Sequence, residues 1–157
     1  MSDFDVASNK ATVTVGADDV QAKISLSSAH TAQSLELGFT VDITIAPGWH
    51  IYGEPLPSNY VATSVKFSGD FIAAQNLALP PAVPMEFKSL GETLPVYTGK
   101  VRGKGTILIG LRAKPGDYKL AGVLKFQQCS DAVCNIPQQV PFEIPLHVDA
   151  MTPGVKK

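Results

Sequence analysis

Apolar side chains alternate with polar or small ones without a break over residues 34–45. The alternating positions are occupied by Leu35, Leu37, Phe39, Val41, Ile43 and Ile45. A repeat of two residues places these side chains on one side of an extended strand, which a helix cannot do. Residues 11–15 and 20–26 show the same alternation over shorter lengths. The first third of the chain is therefore predicted to consist of β-strands.

Prolines and glycines are spread along the chain and interrupt every candidate helix. The 157 residues include 12 Pro and 13 Gly, and no segment carries a convincing helical repeat. Further strands are predicted at residues 63–67, 96–101, 106–113, 118–127 and 138–148. About eight or nine short strands with turn signals between them favour an all-β fold in which two antiparallel sheets form a sandwich.

Clustered prolines restrict two segments further. Three prolines between Leu79 and Pro84 remove three backbone donors, so residues 79–95 are predicted to form a long irregular loop on the surface. Pro141 and Pro145 lie within the last predicted strand, which must therefore be an edge strand or a bulged one.

The strand signals span residues 11–148 and contain no internal repeat, which predicts one domain over this range. Residues 1–10 are interpreted as an N-terminal extension. Residues 149–157 have the composition of a tail or linker. We expect the domain to be a monomer.

The charge balance excludes several classes of partner. Lys and Arg number 13 against 14 Asp and Glu, a formal charge of -1, so no general attraction to nucleic acid or anionic lipid is expected. The longest apolar stretches, such as Ile107 to Leu111, are far too short to span a bilayer. Residues 1–5 lack the features of a signal peptide, so the protein is either cytoplasmic or shown here without its signal.

Both cysteines of the chain lie in the segment Cys129-Ser-Asp-Ala-Val-Cys134. If the strands on either side pair with each other, the segment doubles back and brings the cysteines within the range of a disulfide. Closing so short a loop is worth only about 2 kcal/mol, which favours a redox role over a structural one. Asp131 lies between the cysteines and disfavours a thiolate, so no strongly activated nucleophile is predicted.

Metal and cofactor sites are not predicted. Two thiolates need two further ligands to hold zinc, and His30, His50 and His147 lie in separate segments. Two alternatives to redox exchange stay open. One is a non-catalytic binding module with a structural disulfide. The other is Cu(I) handling by the two cysteines with Met85 or His50, since soft sulfur ligands suit Cu(I).

Several motifs together resemble the N-terminal periplasmic domain of the thiol:disulfide interchange protein DsbD. They are Gly48-Trp-His-Ile-Tyr52, Glu86-Phe87, Tyr97-Thr-Gly99 and Phe126-Gln-Gln-Cys-Ser-Asp-Ala-Val-Cys-Asn-Ile-Pro137. The resemblance covers residues 10–148, and its most specific part surrounds the two cysteines. It implies an immunoglobulin-like sandwich that transfers reducing equivalents by thiol-disulfide exchange, as a protein-disulfide reductase, in the periplasm.

The same resemblance implies a role for each site residue. Cys134 would form mixed disulfides with thioredoxin-fold partners, and Cys129 would resolve them. Phe87, beside Glu86, would cap the sulfurs. His50 and Tyr52 would line the site, although by alternation with Ile51 alone His50 would face solvent. The family's membrane segment and thioredoxin-like domain have no counterpart in these 157 residues, so contact with a membrane would require a separate or missing domain.

From position alone, Phe87 is equally consistent with an ordinary buried aromatic side chain. Trp49 is expected in the core rather than in the site.

Overall fold

Thirteen β-strands form in the part of the chain that the computed structural model describes, residues 11–57, 59–87 and 91–150. They are β1 (Thr12–Ala17), β2 (Val20–Leu26), β3 (His30–Thr31), β4 (Glu36–Ile45), β5 (His50–Tyr52), β6 (Ser64–Ser68), β7 (Ile72–Ala78), β8 (Val83–Phe87), β9 (Glu92–Tyr97), β10 (Lys100–Ile109), β11 (Gly116–Phe126), β12 (Gln128–Cys129) and β13 (Gln138–Val148). These residues include no helix, and hence none that could cross a membrane.

Two sheets pack face to face and enclose the main core. One has the strand order β1-β2-β4-β10-β7 and the other the order β3-β13-β11-β6. Neighbouring strands are antiparallel except for β3 and β13. The sheets meet where the ring of Phe39 lies edge-on to the ring of Phe67, 4.9 Å between centroids. The predicted immunoglobulin-like antiparallel β-sandwich is confirmed.

The alternation along β4 determines which of its faces is buried. Five of the six alternating apolar side chains predicted there, from Leu37 to Ile45, are at most 3% exposed. The prediction is wrong for Leu35, which is 53% exposed. It precedes β4, and its backbone N–H donates to the carbonyl of Ala32 in a turn instead of joining the strand.

A third, smaller sheet has the order β12-β5-β9-β8 and lies at one end of the sandwich. It covers a separate hydrophobic cluster. The buried members of this cluster are Tyr52, Phe87, Leu94, Val96 and Cys129. The sheet therefore brings one cysteine into the same small core as residues from three other strands.

The predicted irregular loop over residues 79–95 is wrong, because this range contains the hairpin β8–β9. Pro84 lies opposite Pro95 in the pairing register. Neither residue has an N–H to donate, so the two form a non-hydrogen-bonded pair and their nitrogens point away from each other. The carbonyl of Pro95 accepts a bond from Gly53, just beyond the end of β5, at 3.0 Å. Both prolines thus occupy positions where the ladder needs no donor.

Other strands differ from the prediction for similar local reasons. The strand predicted over residues 96–101 is two strands, since β9 ends at Tyr97 and a turn with Gly99 at φ 67° leads into β10. β7 was not predicted, because most of its residues are exposed and show no alternation. At Pro141 and Pro145, β13 pairs only with β11, because β3 reaches only its last two residues. These prolines therefore lie where β13 has no second hydrogen-bonded neighbour among the described strands, which agrees with the predicted edge position.

All but four residues of the predicted domain, 11–148, are described by the structure. The predicted extension over residues 1–10 lies outside the described residues. So does the predicted tail beyond Ala150. Both boundaries stay predictions.

Candidate active site

The two cysteines form a disulfide in the segment that joins β11 to β13. The S–S distance is 2.08 Å and the Cα atoms are 4.0 Å apart. Cys129 belongs to β12, and Cys134 returns to form an antiparallel bridge with it. The doubling back predicted from the flanking strands, β11 and β13, is present.

The four residues between the cysteines form a tight turn held by Ser130. The backbone N–H of Ser130 donates to the carbonyl of Val133 at 2.7 Å. The hydroxyl oxygen of Ser130 accepts bonds from the N–H groups of Ala132 and Val133, each at 3.2 Å. These bonds satisfy the N–H groups of Ser130, Ala132 and Val133 and the carbonyl of Val133 from within the turn.

Two glutamines that precede Cys129 attach this turn to the sandwich. The buried side chain of Gln128 accepts a bond from the backbone of Asp19 at 2.9 Å and donates to its carboxylate at 3.2 Å. The side chain of Gln127 accepts a bond from the N–H of Val61 and donates to the carbonyl of Asn135. The sequence pattern predicted no role for either glutamine. The available signal was Gln128, which lies two residues after the buried Phe126, where the alternation of a half-buried strand predicts an apolar residue.

The two sulfur-bearing residues differ strongly in exposure. Cys129 is 1% exposed, whereas Cys134 is exposed. Cys129 pairs with His50 at the edge of the small sheet, and its side chain lies in the small hydrophobic cluster, which accounts for its burial. A visiting protein can therefore reach the bond from the side of Cys134.

Tyr52 lies directly against the exposed end of the disulfide. Its ring is fully buried, and its hydroxyl oxygen is 3.9 Å from Sγ of Cys134. Burial raises the pKa of Tyr52 to about 12, with smaller contributions from Tyr60 and Glu92. The hydroxyl therefore stays protonated at physiological pH and can donate a weak hydrogen bond to sulfur.

His50 is buried in the same cluster of rings, so the expectation from alternation that it faces solvent is wrong. It is 3% exposed, and its Nε2 has no hydrogen-bond partner among the described residues. All three residues of β5 are buried, since Ile51 packs in the main core and Tyr52, on the other face of the strand, packs in the small cluster. Burial lowers the pKa of His50, against an opposing attraction from Asp131. The ring is therefore neutral near pH 7.

Phe87 and Glu86 end β8 on opposite faces of the strand. Phe87 is 6% exposed and belongs to the cluster that contains Cys129. Its ring centroid is 4.9 Å from that of His50. Glu86 is exposed, and alternation along the strand directs its side chain away from the cluster. Met85 is half-buried against the cluster, while Trp49 packs against the main core as expected.

The sequence matches a family profile over most of its length. The profile is that of the N-terminal region of the thiol:disulfide interchange protein DsbD, and it matches residues 14–145. The chain belongs to the DsbD N-terminal family. The resemblance identified from the sequence motifs is thereby confirmed, and membership makes the chain a thiol-disulfide exchange domain in the general sense.

A solved structure shares the fold of this DsbD N-terminal family member. The N-terminal periplasmic domain of ScsB from Proteus mirabilis is 15% identical with a TM-score of 0.63, covering 88% of this chain and 51% of that chain. The chain thus spans about half the length of that ScsB structure. The N-terminal domain of Neisseria meningitidis DsbD in its reduced form is 17% identical with a TM-score of 0.49, covering 90% and 89% of the two chains. No curated protein matches the sequence.

Proposed function

We propose that this chain is a periplasmic relay domain that passes reducing equivalents from a membrane-linked thioredoxin-like donor to extracytoplasmic thiol proteins. The observation that carries the proposal is the unequal exposure of the bonded cysteines, with Cys129 buried and Cys134 exposed. A bond that served only to staple the fold would not need one sulfur within reach of a partner. Family membership supports the chemistry, and the proposed periplasmic location is supported by the ScsB N-terminal domain, which is described as periplasmic.

Reduction of the domain proceeds through Cys134. A thiolate of the reduced donor attacks Sγ of Cys134, which forms a mixed disulfide and breaks the bond to Cys129. Cys129 leaves with the electron pair and takes up a proton. The second thiolate of the donor then attacks the donor's own sulfur in the mixed disulfide and releases Cys134. Two electrons and two protons have moved, so the donor is now a disulfide and the domain a dithiol.

Delivery to an acceptor is the reverse sequence with a different partner. The thiolate of Cys134 attacks the acceptor disulfide, and Cys129 then attacks Cys134 to restore the internal bond. Because the turn and the two glutamines hold the cysteines close to each other, the resolving step is intramolecular and fast compared with attack by a second protein.

A trapping experiment tests the order of attack. A reduced thioredoxin-fold protein that retains only its attacking cysteine is mixed with the oxidised domain, and the linked peptide is identified by mass spectrometry. We expect a mixed disulfide at Cys134. In the converse experiment, reduced Cys129→Ser protein should form the adduct with an oxidised partner, whereas the matched variant Cys134→Ser should not.

The same material distinguishes a structural bond from an exchanging one. A structural disulfide typically has a reduction potential below about -300 mV, so glutathione buffers do not reduce it, whereas a relay bond equilibrates with glutathione or thioredoxin-fold buffers at higher potentials. A link found at Cys129, or a bond that no buffer above this potential reduces, would contradict the proposal.

A further inference from the structure

A group of ionisable side chains lies at the other end of the sandwich. β3 and β13 run parallel, and their pairing places His30 beside His147. Their ring centroids are 5.2 Å apart. The expectation of no metal site depended on the separation of the histidines along the chain, and the strand pairing removes that separation for these two. Ten residues of β11 separate this end from the cysteines, a distance of about 30 Å.

Asp149 completes the group, directly after the end of β13. Its Oδ1 is 3.1 Å from Nδ1 of His30 and 3.4 Å from Nε2 of His147. Two ligand atoms bound to one tetrahedral zinc ion at 2.0–2.1 Å lie about 3.3 Å apart. Both distances from Asp149 therefore match the edges of such a site. The three ligand atoms all lie within 4.8 Å of one another.

Asp117 orients one of the two rings. Its Oδ1 lies 2.7 Å from Nδ1 of His147, so this nitrogen carries the proton that the carboxylate accepts. The other nitrogen, Nε2, is then the lone-pair side and faces Asp149. Metal-binding histidines almost always donate their second ring nitrogen to such a carboxylate or carbonyl group. The arrangement of His147 between two carboxylates is thus that of a ligand, which an incidental surface pair does not require.

We propose that His30, His147 and Asp149 bind a zinc ion, with Asp117 as the orienting partner of His147. Two imidazoles and one carboxylate suit late divalent transition metals, whereas Mg²⁺ and Ca²⁺ prefer oxygen ligands alone. Water completes the tetrahedron. The side chains of His30 and His147 are 57% and 39% exposed, so the ion has access, and the more exposed ring of His30 can turn to close the remaining edge.

Zinc bound here would join elements that are weakly connected otherwise. β3 is two residues long and pairs with only the last two residues of β13. An ion that binds the folded arrangement but not the unfolded chain stabilises the fold in proportion to the logarithm of its concentration. The site is independent of the disulfide exchange proposed above, because it shares no residue with it.

Calorimetric titration of the tag-free, oxidised protein with ZnCl₂ tests the proposal. Oxidation removes the cysteine thiolates as competing ligands. We expect one equivalent of Zn²⁺ to bind and the melting temperature to rise. His30→Ala and His147→Ala should weaken binding at least tenfold, and Asp117→Asn by about 10- to 100-fold. The control Asp131→Asn, which removes an exposed carboxylate beside the disulfide, should leave binding unchanged.

Histidine resonances in the NMR spectrum of the wild-type protein give a result that does not depend on any variant folding. One equivalent of Zn²⁺ should shift the signals of His30 and His147 and leave those of His50 in place. Absence of binding at a tenfold excess of Zn²⁺, or binding that shifts neither His30 nor His147, would overturn the proposal. Unweakened binding by folded His147→Ala protein would do the same.

Discussion

Replacing Phe87 by alanine tests whether this ring shields the disulfide or only fills space. Phe87 is the last residue of β8, an edge strand, and is 6% exposed. It packs in the small cluster with Cys129 rather than in the main core between the two large sheets. We therefore propose that the substitution loosens the cover over Cys129 more than it destabilises the whole domain.

The size of the effect follows from the burial of the ring. Transfer of a buried phenylalanine side chain to water costs about 1.5–3 kcal/mol. If this cost falls on the opening of the small cluster alone, the open population rises by a factor of about 10 to 150, since 1.4 kcal/mol is tenfold. The accessibility of Cys129 should rise by the same factor.

Alkylation of Cys129 by iodoacetamide measures that accessibility. The protein is prepared as Cys134→Ser, so that Cys129 is its only thiol, and urea unfolding of each variant gives the global free energy. Phe142→Ala is the matched control, because Phe142 is 5% exposed but packs against Phe67 in the main core. We expect this control to lower global stability by about 3–5 kcal/mol and to leave alkylation under native conditions unchanged.

One result would refute the cap interpretation. If Phe87→Ala leaves the alkylation rate unchanged and lowers global stability by about 3–5 kcal/mol, as expected for Phe142→Ala, then Phe87 is an ordinary core residue.

Three further predictions concern neighbours of the disulfide. The pKa of Tyr52 is raised from 10.0 to about 12, so the free energy of unfolding falls as the pH rises from 10 toward 12. In urea unfolding, Tyr52→Phe should lose less stability over this range than the wild-type protein. An equal loss would contradict the raised pKa of Tyr52. The pKa of His50 is lowered from 6.5, so the free energy of unfolding falls as the pH drops below 6.5. In His50→Gln the urea midpoint should depend less on pH between pH 7 and 5. An unchanged pH dependence would show that His50 does not titrate in this range. Gln128→Ala removes the hydrogen-bond partner of the Asp19 backbone N–H and should lower the free energy of unfolding by about 1–3 kcal/mol. The control Gln139→Ala, at an exposed position, should change it hardly at all. Equal urea midpoints for the two variants would show that Gln128 does not anchor the turn.

Sequence patterns predicted the strands whose burial or missing donors are visible in their own residues. The alternation along residues 34–45 predicted β4 because a half-buried strand imposes that repeat on its own residues. The edge position of Pro141 and Pro145 followed from their missing donors. β7 escaped prediction because it lies at the edge of its sheet with most side chains in water, where no burial pattern is imposed.

Features that depend on pairing between distant segments could not be predicted in this way. Pro84 and Pro95 lie 11 positions apart, and each by itself argues against a strand; only their placement opposite each other makes both acceptable. The burial of His50 and the meeting of His30 with His147 likewise depend on which strand lies beside them. The cysteine site could be predicted because its two reactive residues are close in sequence.

The proline opposite Pro95 has a further consequence at the rim of the small sheet. β8 is the outermost strand there, and the nitrogen of Pro84 points outward. A strand from another molecule that tried to extend the sheet would meet a gap in the middle of the donor row. A partner that approaches this rim therefore meets side chains rather than an unbroken row of backbone donors, which disfavours continuous strand addition along β8.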